Sequence, residues 1–176
     1  MRFLARVYEH TGHQRFRTGF QKGIDYLLDA QYENGGWPQY YPIREGYYEH
    51  ITFNDGAMIG VMRILRDVSN GHFSFVDSSY KEPATNAIRN GLQLILQTRI
   101  VVEGELTAWC TQYNHETLEP AWARAYEPPS ISGSESRHCA LPDEYRRTGT
   151  SGGPRRGGSG KMDEARETEE YPAGTG

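Results

Sequence analysis

The sequence lacks the features of several large classes of protein. Its 176 residues include two cysteines, Cys110 and Cys139, which are too few for a disulfide framework or a thiolate metal cluster. We expect both to be unpaired thiols. No run of about 18 apolar residues occurs, so no segment is predicted to span a membrane. The formal charge of −4 at pH 7 is opposite in sign to the basic face typical of nucleic-acid binders.

Common functional signatures are also missing. Residues 1–17 lack the charged, apolar and small-residue order of a secretory signal. The chain has no G-x-S-x-G elbow, no phosphate-binding loop and no G-x-G-x-x-G turn. The serine-rich string EPPSISGSES (127–136) has no histidine placed beside it by any pattern. It predicts an ordered loop rather than a serine hydrolase site.

Apolar residues nearly disappear after Ser136. Residues 137–176 contain no Ile, Val, Phe or Trp and are rich in Gly, Arg, Glu and Thr. Such a segment cannot bury enough apolar surface to offset the entropy lost on ordering. We therefore divide the chain into a folded domain, residues 1–136, and a low-complexity tail, residues 137–176, that we expect to be disordered.

Four segments of the folded domain have apolar residues at helical spacing. They begin near Phe3, Phe16, Asp55 and Ala84, and the first is predicted to end at Gly12. The apolar stripes contain Phe3, Leu4, Val7 and Tyr8 in the first segment, Phe16, Phe20, Ile24, Leu27 and Leu28 in the second, Met58, Val61, Met62, Leu65 and Val68 in the third, and Ala84, Ile88, Leu92, Ile95 and Leu96 in the fourth.

These helices form a weak internal repeat. The string GIDYLLDAQ (23–31) precedes a glycine loop and Trp37, and GLQLILQTR (91–99) precedes a glycine loop and Trp109. One hairpin cannot bury its apolar face alone, so repeated hairpins favour stacking. We predict an all-α fold, an incomplete α/α toroid with functional loops on one face. The alternative is two unrelated hairpins with coincidental aromatic residues.

The loops predict a carbohydrate site. Trp37, Tyr40 and Trp109 lie there among Arg, Asn, Gln and Glu residues. Aromatic rings stack on the C–H faces of sugars, and polar side chains bond to their hydroxyls. For each single ring, the alternative is that it closes the core at the end of a hairpin.

The pair Asn54-Asp55 has two interpretations. Both residue types are favoured helix N-caps, so capping alone would explain them. In the other interpretation Asn54 caps the helix while Asp55 projects into the loop face, near Glu49 and His50, as a cation ligand. Residues 114–116 supply a second oxygen-rich cluster. Carboxylate and amide oxygens suit calcium better than zinc.

Five strings resemble the pectate lyases of polysaccharide lyase family 10: RFLARVYEHTG, GIDYLLDAQYENGGWPQYYP, HITFNDGAMIGVMRILRDV, LTAWCTQYN and TLEPAWARAYEPPSISGSES. Together they extend over residues 2–136. The resemblance implies an α/α toroid that cleaves polygalacturonate by calcium-assisted β-elimination. It therefore predicts a secreted or periplasmic monomer with polygalacturonate as its partner, calcium as its cofactor, and neither nucleic-acid nor membrane partners.

The resemblance also implies roles for single residues. Asp55 matches the acidic site residue of the family's I-T-F-N-D motif, and we predict it to be catalytic and a calcium ligand. Asn114 occupies the position of a calcium-binding aspartate, and Gly56 that of an Asn or Asp; both changes weaken a calcium site. The residues predicted to contact substrate are Trp37, Tyr40, Trp109, Arg124, Glu127 and Ser134.

The family's catalytic base is an arginine beyond the matching strings, and no arginine of the tail has a matching context. We therefore expect an incomplete lyase, beginning within the family's first helix and ending in a possible frameshift product. Three functions stay open: a calcium-dependent pectate lyase; an inactive remnant that binds oligogalacturonate weakly; and a toroidal glycoside or unsaturated-uronyl hydrolase, using Asp55 with Glu49 or Glu127 as paired carboxylates.

Overall fold

The computed structural model describes residues 1–102, 104–124 and 126–131. The helices of these residues are α1 (Arg2–Thr11), α2 (Gln14–Asp29), α3 (Ala57–Ser69) and α4 (Lys81–Gln97). The strands are β1 (Ile51–Thr52), β2 (Ile100–Val102), β3 (Glu105–Ala108) and β4 (Gln112–Tyr113). All of them belong to one compact unit, Met1–Ala140, whereas the unit Leu141–Gly176 lies outside the described residues. The predicted tail therefore stays a prediction.

The helices pack as two hairpins around a shared core. Helix α1 packs against α2, α3 packs against α4, and α2 also contacts α4. The four helical segments predicted from periodicity are confirmed. Phe3 lies in α1 but does not belong to its buried stripe, because it is 73% exposed. Burying a large apolar side chain contributes about 1.5–3 kcal/mol. The fully buried large residues of the helices are Phe20, Ile24, Met58, Leu65, Leu94 and Ile95.

Helix α1 ends where the sequence predicted. Gly12 adopts a left-handed conformation with φ of 68°, and its N–H donates to the carbonyl of Tyr8 at 2.7 Å. Glycine takes this conformation without the steric cost that a Cβ atom would add. The turn lets α2 fold back along α1.

The two hairpins end in the same way. The indole Nε1 of Trp37 donates to the carbonyl of Leu27 at 2.8 Å, and that of Trp109 donates to the carbonyl of Ile95 at 2.7 Å. Leu27 and Ile95 are the fifth residues of the two strings in the predicted repeat. The local equivalence of the hairpin ends is therefore present in the structure.

The strands are an addition to the all-α prediction. Strand β1 pairs antiparallel with β4, placing Thr52 opposite Gln112, and β2 pairs antiparallel with β3. The first ladder joins the loop after α2 to the loop after α4. Tyr113 of β4 anchors this ladder to the core. Its buried hydroxyl donates to the carbonyl of Thr98 at 2.6 Å and accepts from the N–H of Cys110 at 2.7 Å. Burial raises the pKa of Tyr113 to about 12.

The start of α3 differs from the prediction. Residues Asn54–Gly56 form a separate 3₁₀ turn, α3 begins at Ala57, and no side chain caps it. The expected helix start at Asp55 with Asn54 as its cap is therefore wrong. The physical reason is the backbone: Asp55 (φ 55°, ψ 23°) and Gly56 (φ 70°, ψ 17°) are both left-handed and cannot continue a right-handed helix.

Candidate functional site

A polar pocket of about 220 Å³ lies beside the β1–β4 ladder, at the turn that precedes α3. Its walls come from the loop after α2, from the turn and from the segment that follows α4. Carboxylate, amide, hydroxyl and guanidinium groups make up most of the wall. The lining residues are Gln39, Tyr47, Thr52, Asn54, Asp55, Thr111, Gln112, Ala123, Arg124 and Glu127.

Asp55 is exposed and lines this pocket. Its left-handed backbone is unusual for a residue with a Cβ atom, although aspartate tolerates it better than most. Within the described parts of the chain, its carboxylate makes no hydrogen bond and no ion pair. Because α3 starts two residues later, the capping interpretation no longer accounts for Asp55, and its charge is available to a ligand.

Two backbone hydrogen bonds hold the Asp55 turn in place. The N–H groups of Phe53 and Asn54 both donate to the carbonyl of Thr111, at 2.9 and 3.2 Å. Thr111 in turn donates its N–H to the carbonyl of Ser130 at 2.8 Å. Residues far apart in sequence therefore set the position of the Asp55 carboxylate.

Gln112 is a pocket residue that the sequence reasoning missed. Its side chain is 3% exposed, and its Nε2 donates to Thr52 Oγ1 at 2.9 Å and more weakly to Gln39 Oε1 at 3.2 Å. Its buried Oε1 has no partner among the described residues. An unpaired buried acceptor is costly, so this oxygen is an exception to the usual pairing of buried polar atoms. The only sequence signal was its place beside Trp109 in the repeat.

Arg124 supplies the positive charge of the pocket. Its Nη1 lies 3.6 Å from Glu127 Oε2 and donates to the Tyr126 hydroxyl at 3.3 Å, and its guanidinium carbon lies 5.6 Å from the Tyr47 ring centroid. Hydrogen bonds to the hydroxyls of Tyr47 and Tyr126 raise the pKa of Arg124. Arg124 therefore stays charged and can pair with an anionic ligand.

Tyr47 faces the same pocket with a changed acidity. A hydrogen bond from the Tyr48 hydroxyl, together with the nearby Arg124, lowers the pKa of Tyr47, whereas the same hydrogen bond raises the pKa of Tyr48. The two phenol rings are 4.0 Å apart between centroids. Tyr47 lines the pocket and Tyr48 does not, so the contact between their rings links the pocket wall to the neighbouring part of the loop.

The structure brings together three of the predicted site residues, Asp55, Arg124 and Glu127, in one pocket. Asn114 lies outside the pocket wall, and its Oδ1 accepts the N–H groups of Glu116 and Thr117 at 2.8 and 2.9 Å. The described residues contain no cluster of three or more His, Cys, Asp or Glu side chains that could hold a metal. The calcium roles of Asp55 and Asn114 stay predictions.

The predicted aromatic contacts divide into two groups. Trp37 and Trp109 are 3% and 8% exposed, so both rings close the core at the hairpin ends. Tyr40 is 47% exposed on the loop before β1. Ser134 lies outside the described residues, as does Cys139, whereas Cys110 is a free, buried thiol. Substrate contact by the aromatic residues and Ser134 stays a prediction, and the burial of the two tryptophans gives them a packing role.

Glu49 and His50 do not line the pocket. His50 instead lies close to His115, whose ring stacks on Tyr32 with 4.9 Å between centroids. Burial lowers the pKa of His50, and the Nδ1 atoms of both histidines are buried without a partner in the described part of the chain. Neither histidine lines the pocket.

The fold is similar to that of family 10 polysaccharide lyases. The structure matches that of a family 10 polysaccharide lyase from Cellvibrio cellulosa with a TM-score of 0.72 and 35% sequence identity, over 76% of this chain and 43% of that one. It also matches an aspartate-to-alanine mutant of the family 10 lyase from that organism in complex with trigalacturonic acid, with a TM-score of 0.73, 35% identity and the same coverage. The chain thus spans less than half the length of these lyases.

The family follows from the sequence comparison. The pectic acid lyase family matches residues 1–141, and the chain belongs to that family. This confirms the resemblance to the family 10 pectate lyases. No curated protein sequence matches the chain at a significant level. Among the helices that the structure describes, none is long and apolar enough to cross a membrane.

Proposed function

We propose that the chain is a secreted or periplasmic, pectate-lyase-like protein that binds polygalacturonate in the pocket of Asp55, Arg124 and Glu127. The observation that carries the proposal is the convergence of these three charged residues, from two distant segments, on one polar pocket. The basic side chain of such a pocket can bind a carboxylate of the ligand, and the acidic side chains can bind a cation that accompanies it. Polygalacturonate with calcium is such a ligand.

The pocket residues suggest how a galacturonate unit would be oriented and how its charge would be stabilised. In β-elimination the C5 proton is acidified only by the adjacent carboxylate, so the charge that develops there must be stabilised. The Arg124 guanidinium can form paired hydrogen bonds with that carboxylate. Arg124 thus orients the unit and neutralises its charge.

A calcium ion shared with the substrate would draw on the carboxylates of the pocket wall. Calcium takes six to eight oxygen ligands, and Asp55 and Glu127 bring carboxylate oxygens to the pocket wall. Gly56 adds no side-chain oxygen, and the Asn114 oxygen is already occupied by backbone N–H groups. When bound, calcium would supply positive charge next to the uronate carboxylate, and carboxylates of the substrate would complete its ligands.

One observation favours a second candidate, an oligogalacturonate-binding protein without lyase activity. Arg124 pairs with Glu127 at 3.6 Å and donates to the Tyr126 hydroxyl at 3.3 Å, contacts that favour its charged form, whereas a base must lose its proton. Among the described residues, Arg124 is the only arginine in the pocket wall. It therefore serves as a charged partner of the substrate, and elimination would need another base.

A combined assay tests the two candidates. The full chain is incubated with polygalacturonate, with and without calcium, and followed by the ultraviolet absorbance of the unsaturated product and by the release of reducing ends. Calcium-dependent absorbance supports the lyase. Binding of trigalacturonic acid without either product supports the binding protein, and reducing ends without absorbance indicate a hydrolase.

A substitution at Asp55 tests the pocket itself. Asp55→Asn keeps the shape and the tolerance of a left-handed backbone but removes the charge. In the presence of calcium we expect calorimetry to show that the dissociation constant for trigalacturonic acid increases about tenfold or more, since hydrogen bonds to charged groups contribute about 1.5–3 kcal/mol. Asp29→Asn, at an exposed position at the end of α2, is the matched control. Equal affinity of both variants and the wild type would refute the proposed site.

A further inference from the structure

We propose that the loop of residues 38–48, called here the aromatic loop, is a second sugar-binding surface. It would take the galacturonate unit next to the one in the pocket. The inference rests on the proposed function and deepens it, because it assigns a ligand to Tyr40, Arg44 and Tyr48, which do not line the pocket. Its sequence, PQYYPIREGYY, combines four tyrosines with one arginine.

Hydrogen bonds hold the aromatic loop where its two ends meet and also near its middle. The N–H groups of Gln39 and Tyr40 both donate to the carbonyl of Tyr48, at 3.0 and 3.3 Å. The hydroxyl of Tyr26 on α2 donates to the carbonyl of Tyr41 at 2.6 Å, and the two rings make an edge contact at 5.4 Å. A surface ordered in advance loses less entropy when it binds a ligand.

A row of rings leads out of the pocket along this loop. Tyr47 lines the pocket, and its ring centroid lies 4.0 Å from that of Tyr48. Tyr48 makes an edge contact with Tyr40 at 5.1 Å, and Tyr40 is 47% exposed. The row is therefore continuous from the pocket wall to an exposed ring on which a sugar can stack.

Arg44 places a positive charge at the outer end of the row. Its guanidinium carbon lies 5.6 Å from the Tyr40 ring centroid, and its side chain is exposed. Across the described ranges Arg44 has no ion-pair partner, although Glu45 follows it in sequence. A ring with a guanidinium beside it matches a galacturonate unit, which has an apolar C–H face and a carboxylate.

The size of the pocket explains why a second surface is needed. Its volume of about 220 Å³ lies below the range of about 300–1,000 Å³ that holds drug-sized ligands. A polymer that places one unit there must continue across the surface. The rings of Tyr47, Tyr48 and Tyr40 extend from the pocket wall to the Arg44 cation and offer such a surface.

The test measures how affinity depends on ligand length. The full chain and its variants are titrated calorimetrically with galacturonic acid, trigalacturonic acid and hexagalacturonic acid in the presence of calcium. For Arg44→Ala and Tyr40→Ala we expect about tenfold weaker binding of the trimer and hexamer and unchanged binding of the monomer. Tyr40→Phe keeps the ring and should retain most of the affinity.

The matched control is Arg15→Ala. Arg15 lies on α2, and its guanidinium carbon is 4.6 Å from the Phe16 ring centroid, so it loses the same kind of contact outside the aromatic loop. It should bind all three ligands like the wild type. Thermal unfolding of each variant shows that the fold is retained, and Arg44→Ala alone decides the question if Tyr40→Ala is unstable.

Two results would overturn the inference, and they are distinguishable. If Arg44→Ala and Tyr40→Ala bind every ligand like the wild type while Asp55→Asn loses affinity, the aromatic loop is not a binding surface and the proposed pocket stands. If the wild type binds none of the three ligands, the proposed function and the inference fail together. An equal loss for monomer and hexamer would place Arg44 in the pocket and also contradict a second surface.

Discussion

At Asp55 the backbone, rather than the side chain, decides the role of the residue. Asparagine and aspartate at the head of an amphipathic segment are typical caps, and the sequence left Asp55 open as either a cap or a cation ligand. Left-handed dihedrals at Asp55 and Gly56 instead end the 3₁₀ turn before α3 begins. The carboxylate is turned to the pocket as a result. Strained backbone of this kind costs about 1–3 kcal/mol and is often found at functional sites.

His50 gives the protein a pH-dependent stability. Burial lowers its pKa, the charge of Glu49 opposes this shift, and His115 adds to it. The folded-state pKa is thus below the unfolded value of 6.5, so the unfolded chain binds the proton more readily. We expect the free energy of unfolding to fall as the pH decreases through 6.5 toward the folded-state pKa of His50.

Urea unfolding at several values between about pH 8 and about pH 5 measures this effect. His50→Gln should flatten the acid side of the stability profile, because the residue that must stay neutral is gone. His10→Gln is the control, since His10 is exposed on α1. A profile that keeps the wild-type slope in His50→Gln would show that other groups cause the acid sensitivity.

The glycine turn after α2 packs closely against α4. A Cβ atom at Gly35 would lie 2.3 Å from the carbonyl oxygen of Asn90 on α4, and φ at Gly35 is 94°. Gly35→Ala therefore requires α4 or the turn to move. We expect a loss of about 2–4 kcal/mol in the free energy of unfolding, measured by chemical denaturation.

Gly12→Ala separates this clash from backbone strain. Gly12 also has a positive φ of 68°, but a Cβ atom there would meet nothing within 4 Å. Its replacement should cost only about 1 kcal/mol, the price of the left-handed conformation alone. Equal losses in the two variants would mean that the approach of the turn to α4 contributes nothing.

The stability of the whole molecule should depend on residues 127–131 and not on the tail. Ser130 accepts the N–H of Thr111, and Ile131 forms a bridge with Cys110, so this segment is part of the pocket wall's support. Residues 141–176, which make up most of the tail, contain no Ile, Val, Phe or Trp. We expect a chain ending at Ala140 to unfold at the same temperature as the full chain, and one ending at Tyr126 to unfold at a lower temperature.

Calorimetric or spectroscopic melting of the three chains checks this prediction. The two shortened chains differ in whether the Thr111–Ser130 hydrogen bond can form, so each is the control for the other. Destabilisation of the chain ending at Ala140 would contradict the assignment of the tail as a segment without packing. An unchanged melting temperature for the chain ending at Tyr126 would contradict the supporting role of residues 127–131.

Local patterns were sufficient for the helices, for the end of α1 at Gly12 and for the equivalent hairpin ends at Trp37 and Trp109. The period of an α-helix and the conformational freedom of glycine act over a few residues, so they are visible in the sequence. The strings that resemble pectate lyases were equally local and identified the family. The two-residue strands were not predicted, because such short pairings have no pattern of their own.

The sequence by itself thus determined the helical hairpins, the family and the candidacy of Asp55, Arg124 and Glu127. Tertiary structure alone decided that the two tryptophans pack in the core, that Gln112 belongs to the pocket and that Asp55 faces it. The physical reason is distance along the chain: Thr52 and Gln112 become neighbours only when β1 pairs with β4. The direction of the Asp55 side chain follows from a turn that Thr111 holds by hydrogen bonds, and no local pattern specifies that contact.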